Sequence, residues 1–162
     1  MLKKTSKIIG VLLIFLFLNS CASMMGLTED IKQQLIERDI PIAIVYYDTG
    51  YPNSVGGVDA EISWVNISSK DIKYITFSVK PYNKVDDVVS SDIGNKIVAR
   101  LAATGPFDAS KTSPHHMTWG TVWYNNTIER LEIEKVEIIF MDDTTKSYSA
   151  PEILEMDYRI VQ

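Results

Sequence analysis

From residue 74 to residue 79 the chain alternates: Ile75, Phe77 and Val79 are apolar, and Tyr74, Thr76 and Ser78 stand between them. A two-residue period puts one set of side chains on a buried face and the other on an open one, the signature of a half-covered strand. Similar runs, rich in β-branched and aromatic residues and punctuated by Gly, Pro, Asn and Asp, fill most of the chain. They predict strands at 42–48 (IAIVYYD), 60–67 (AEISWVNI), 72–83 (IKYITFSVKPYN), 88–92 (VVSSD), 96–104 (KIVARLAAT), 116–124 (HMTWGTVWY), 130–141 (RLEIEKVEIIFM) and 145–149 (TKSYS). Within 130–141 the phase slips: Leu131 and Ile133 are apolar at odd positions, Val136, Ile138 and Phe140 at even ones. Such a slip around Glu134 and Lys135 fits a β-bulge, or a strand that passes from one sheet's core to an exposed face. Asp142-Asp143-Thr144 reads as the hairpin turn into 145–149. Pro151 ends that strand, and PEILEMDYRI suits either a short helix or a strand.

Two segments break the pattern. At 28–39 the spacing is helical, with Thr28 as cap, Glu29 and Asp30 in the first turn, Ile31 and Leu35 on one face with Ile36 beside them, and Pro41 as stop. At the start, Lys3, Lys4 and Lys7 precede an apolar run from Ile8 to Leu18. Eleven residues at about 1.5 Å each span roughly half a hydrocarbon core, too little for a transmembrane helix. A basic patch, a short greasy stretch and then small residues form a secretory signal peptide. Strands at this spacing without long helices give an all-β chain, an antiparallel β-sandwich of about seven strands behind a signal peptide and a short N-terminal helix. The divisions are 1–20 leader, 21–27 tether, 28–39 helix and 40–162 sandwich.

The chain has 162 residues and one cysteine, Cys21, directly after the greasy run. Leu18-Asn19-Ser20-Cys21 resembles the lipobox of bacterial lipoproteins, which places leucine at minus three and a small residue at minus one from the cysteine. Asn19 departs from the commoner small or β-branched residue at minus two. The resemblance implies a diacylglycerol on the Cys21 sulfur, cleavage before it, and an N-acyl chain on the new amine. The alternative is a free thiol near an ordinary cleavage site, and a lone thiol in an oxidising compartment is better modified than free. Two or three acyl chains hold a protein firmly where one does so marginally. Ala22 after the cysteine is compatible with an outer-membrane address, and the expected location is the cell membrane or outer membrane, facing away from the cytoplasm.

Loss of residues 1–20 removes three lysines and no acid, so the mature chain carries 13 basic and 21 acidic residues, a charge of −8 against −5 for the whole. That balance disfavours nucleic acid and anionic head groups, leaving the lipid as the membrane bond.

The run from Trp64 through NISSKDIKYITFSVKPYNKV, then GPF, then VWYNNTIERLEIEKVEIIFMDDT, resembles an uncharacterised immunoglobulin-like, FxLYD-like module of bacterial exported proteins, over roughly residues 60–149. Asp143 stands where that pattern usually has glycine, and Asp86-Asp87 where it often has Gly-Asp. The resemblance implies an immunoglobulin-like sandwich and no chemistry.

Candidate sites are few. His115-His116 suggests a metal, but neighbours on a strand point to opposite faces, and an exposed loop pair is the expectation. Asp86-Asp87 and Asp142-Asp143 lack calcium-loop spacing and read as turns. Met117, Trp119 and Trp123 share a face, with Tyr124 on the other; a core accounts for Trp64 and one of the later tryptophans, and a sugar-binding platform is the alternative. The sequons at Asn66 and Asn125 read as chance matches. Tyr46, Tyr47, Tyr51 and Tyr82 are the candidate binding surface, since tyrosine suits half-exposed contacts. The chain shows no G-x-S-x-G elbow or phosphate loop, so no catalytic residue, metal or cofactor is assigned beyond the lipid on Cys21. The expectation is a non-catalytic binding or interaction module with an envelope protein or a glycan as partner. The alternatives are a carbohydrate- or metal-dependent envelope enzyme built on loops 49–57 and 105–115, a carbohydrate- or calcium-binding protein with a loop-built site, and a structural envelope spacer.

Overall fold

A computed structural model describes Leu27 and residues 29–158. Leu18, Asn19, Ser20, Cys21 and Thr28 lie outside the described residues. In chain order the elements are α1 (Glu29–Glu37), β1 (Ile42–Thr49), β2 (Gly57–Asn66), β3 (Ile72–Asn83), β4 (Ala99–Phe107), β5 (His115–Tyr124), β6 (Ile128–Phe140), β7 (Thr145–Ser149) and α2 (Glu152–Met156). One sheet runs β1-β2-β5 and the other β4-β3-β6-β7, all antiparallel, and they pack as an immunoglobulin-like sandwich.

The inward residues are those the alternation marks. Ile62 and Trp64 of β2 and Ile75, Phe77 and Val79 of β3 are fully buried. Trp64 joins the two sheets: its ring lies 6.3 Å from Phe77 and 4.8 Å from Phe107. The slip in β6 is a bulge. Ser78 pairs with Lys135 and Val79 with Ile133, so Glu134 is the extra residue. Leu131 and Ile133 thereby face the same core as Val136 and Ile138, while the Glu134 carboxylate reaches Lys80.

The β6–β7 turn owes its shape to its acids. Asp143 takes a left-handed conformation, φ 63°, which short polar residues tolerate. Asp142 accepts the Thr144 backbone N–H at 3.1 Å and its hydroxyl at 2.5 Å. Lys70 at 2.6 Å and these Thr144 bonds hold the Asp142 carboxyl well below the usual carboxylate range. Asp86 also adopts a positive φ in its turn. Both sequon asparagines are structural. Asn66 is buried and donates to the carbonyls of Lys70 and Phe107, and Asn125 donates to that of Ser90.

The structure corrects three expectations. Residues 88–92 form no strand; a single bridge joins Val88 to Tyr82. Ile36 is 41% exposed, leaving Leu35 as the buried residue of α1, with Ile31 half-buried beside it. The strand expected to end at 104 continues through Gly105, where a Cβ would stand 2.3 Å from the Ile72 carbonyl, an approach only glycine permits. Residues 152–156 of the undecided C-terminal segment are helical, and Tyr158 then donates its N–H to the Ile44 carbonyl at 2.9 Å.

The sandwich has two ends. At the entry end, Pro41 leads into β1 and its carbonyl accepts from Ile67 and Ser68 of the β2–β3 turn. The β4–β5 and β6–β7 connections share that end. Eight residues of β1, roughly 25 Å, separate it from the far end, where the β1–β2, β3–β4 and β5–β6 connections lie.

Candidate functional site

Three of the four tyrosines converge through Arg130, a residue that no sequence pattern marks. Tyr46 and Tyr47, neighbours on β1, border a recess shared with Arg130 of β6. Tyr82 belongs to the other sheet, and the Arg130 guanidinium stacks on its ring at 4.2 Å. Asp86 and Glu132 fix the guanidinium at 3.0 and 2.6 Å. Burial and the Glu132 carboxylate nearby push the Tyr82 phenol up.

Tyr46 also faces Tyr51 across a groove of about 400 Å³ between β1, the β1–β2 loop and the start of β6. Its charged lining is Asp48, Glu61 and Glu129, with no cation. The loop is held by Asn53, whose side-chain oxygen accepts from Val55 and Gly57 at 3.0 and 2.9 Å. Tyr51 projects from it 99% exposed. Tyr47, by contrast, packs partly against the core.

A larger recess at the entry end, about 680 Å³, lies between α1 and the β2–β3 and β6–β7 turns. No sequence pattern pointed to it, because its walls come from four separate segments. Its floor is Ile40, Ile67 and Phe140, and its cations are Lys32, Lys70 and Lys146. Lys70 is bound to Asp142 at 2.6 Å, Lys146 to Asp39, and Lys32 stands 3.9 Å from Glu29. The pocket is therefore charge-balanced, and an incoming anion would compete with carboxylates for every lysine.

The histidines are not an exposed loop pair: they open β5 and diverge as strand neighbours must. His116 points outward and its Nδ1 meets the Ser63 hydroxyl at 2.6 Å. His115 turns inward against Trp64 and Phe107, with ring centroids at 4.8 and 4.9 Å. Among the described residues no group of three or more His, Cys, Asp or Glu is placed to hold a metal ion. Burial, reinforced by Lys111 and opposed by Asp108, holds the His115 pKa below 6.5. The unfolded ring takes its proton near the ordinary histidine value of 6.5 and the folded ring only at lower pH. Stability should therefore be full above that value and fall as the pH drops below it, levelling off once the folded ring titrates. Urea midpoints at pH 7.5 and 5 should show this loss, and His115→Gln should make it smaller; an unchanged pH dependence would remove His115 as its source.

Met117, Trp119 and Trp123 do share a face, opposite Ile62, Ala60 and Val58 of β2. Trp123 is fully buried, and Trp119 packs against the core while donating to the Ala102 carbonyl at 2.9 Å. This is core, as is Trp64. The loops at 49–57 and 105–115 do not meet. Gly57 pairs with Tyr124 and Trp64 with His115, so the loops flank opposite ends of β2, roughly 20 Å apart, and a cleft built on both is ruled out.

The fold and these surfaces define an immunoglobulin-like β-sandwich with an acidic, tyrosine-bordered groove at its far end. Searches against family models, curated proteins and solved structures find no match to the chain.

Proposed function

We propose that the chain is a bacterial envelope lipoprotein, anchored through acyl chains on Cys21, whose FxLYD-like, immunoglobulin-like domain is a non-catalytic binding or interaction module. It would reside in the cell membrane or outer membrane and face away from the cytoplasm. The observation that carries this reading is the polarity of the sandwich. α1 leads through Pro41 into the entry end, and the groove of Tyr46 and Tyr51 opens at the other end of β1. A domain held at one end presents the opposite end to partners, here an envelope protein or a glycan. Tyrosine supplies contact area there at little entropic cost.

Affinity capture from envelope extract with the intact lipoprotein, compared with a Tyr46→Ala/Tyr51→Ala double variant, tests the module. A specific partner should be retained by the parent and reduced at least tenfold by the variant. Identical retention by both proteins, or none by either, would defeat the reading.

A further inference from the structure

The four most exposed large apolar side chains of the described residues are Tyr51 at 99%, Val85 at 74%, Val55 at 72% and Ile93 at 64%. All four sit on the β1–β2 and β3–β4 loops, at the far end. Exposed apolar residues scattered singly need no explanation, but concentration on one end does. The two loops are joined through the β5–β6 turn: Asn125 donates its N–H to Gly56 at 2.9 Å and its side-chain amide to Ser90 at 2.8 Å. Val85 borders a recess with Thr127 and Glu129, and Glu129 also lines the groove of Tyr46 and Tyr51. Tyr51 and Val85 therefore border adjoining recesses that share Glu129, and Val55 and Ile93 lie on the same two loops.

The tips are held in place, not loose. Asn83 accepts from Val85 and Asp87 at 3.0 and 2.9 Å. Asp92 donates its N–H to Tyr124 at 2.7 Å, and the Ser91 hydroxyl accepts from Tyr124 at 3.0 Å. Because the backbone that carries these side chains is held in this way, docking costs less loop ordering.

The charge around the tips has one dominant sign. Asp48, Glu61 and Glu129 line the groove, and Asp87 and Asp92 lie in the long loop, against Lys84 and Lys96. Arg130 is already paired to Asp86 and Glu132. A second copy would set like charges against each other, and an anionic membrane would be repelled. We infer that this end docks a protein surface with an apolar centre and a basic rim. The inference rests on the module reading above and assigns its partner class.

Site-specific photo-crosslinking of the full lipoprotein in its own cells tests this, with benzoylphenylalanine at Val55, at Val85 or, as control, at exposed Lys111 of the entry end. Val55 and Val85 should each give a discrete adduct with one protein whose exported part is net basic, and Lys111 should not. Asp87→Lys and Glu129→Lys lie at the surface and should leave the melting midpoint unchanged. Together they should lower the adduct yield at least tenfold. An adduct to an acidic protein, to lipid or to a second copy overturns the inference. So does one that survives both charge reversals, or one found at Lys111 alone, and each of these leaves a binding module standing. No adduct at any position, together with no tyrosine-dependent capture, overturns both readings.

Discussion

Trp64→Ala should lower the stability of the sandwich by about 3–5 kcal/mol and its thermal midpoint by roughly 10–20 °C. Trp64 is fully buried, and its ring meets Phe77, Phe107 and His115 at 6.3, 4.8 and 4.8 Å. Truncation removes the contact between the sheets, and the strand backbones around it cannot collapse into the space. A loss on that scale is a large share of the 5–15 kcal/mol typical of a single domain. Trp64→Phe separates packing from polarity. The Trp64 Nε1–H is buried without an acceptor among the described residues, whereas Trp123 donates its own to the Ile97 carbonyl at 3.1 Å. Phenylalanine at 64 therefore loses volume alone. At 123 it loses volume and a bond that fixes the β3–β4 loop, about 1 kcal/mol more. Urea midpoints should rank Trp123→Phe as the more damaging, and the reverse order would show that the Ile97 bond contributes nothing.

The same residues show what patterning can and cannot report. Buried strands leave a period-two trace, so β3 matches its expected bounds and the Glu134 bulge is visible as a change of parity. The β6–β7 turn is legible because Asp142 and Thr144 bond each other locally. Residues 88–92 misled because β-branched residues resemble a strand wherever they occur. Here Ser91 and Asp92 bond the end of β5, and no ladder forms. The bulge in β5 left no trace in parity, since three residues, 120–122, stand opposite Asp59 alone and return Trp123 to the face of Trp119. Asp59 holds it by accepting the Thr121 N–H at 2.6 Å. The tyrosines were visible as a type of residue, but their meeting depends on Arg130, contributed by a strand distant in sequence. The apolar far end stayed hidden for a related reason. Val85 and Ile93 flank the segment read as a strand, and loop residues carry no periodicity to mark them as exposed.

Cys21→Ala should abolish labelling with palmitate and leave an uncleaved precursor. Cys21 is the only thiol, so no other side chain can take the diacylglycerol. With each buried methylene worth about 0.8 kcal/mol, two or three acyl chains would make release negligible, whereas the variant would hold the membrane only through its uncleaved leader. In the cleaved form the rest of the chain would add no electrostatic hold, because a charge of −8 after residue 20 repels anionic head groups. Mass spectrometry of the purified protein gives the sharper measurement: the parent should begin at Cys21 and carry the added acyl mass, and the variant should retain residue 1 and carry none. A variant that still matured to the parent's length would show that an ordinary signal peptidase does the cutting. The sandwich would then be a free secreted domain, and the distinction between its entry end and its far end would no longer decide which surface meets a partner.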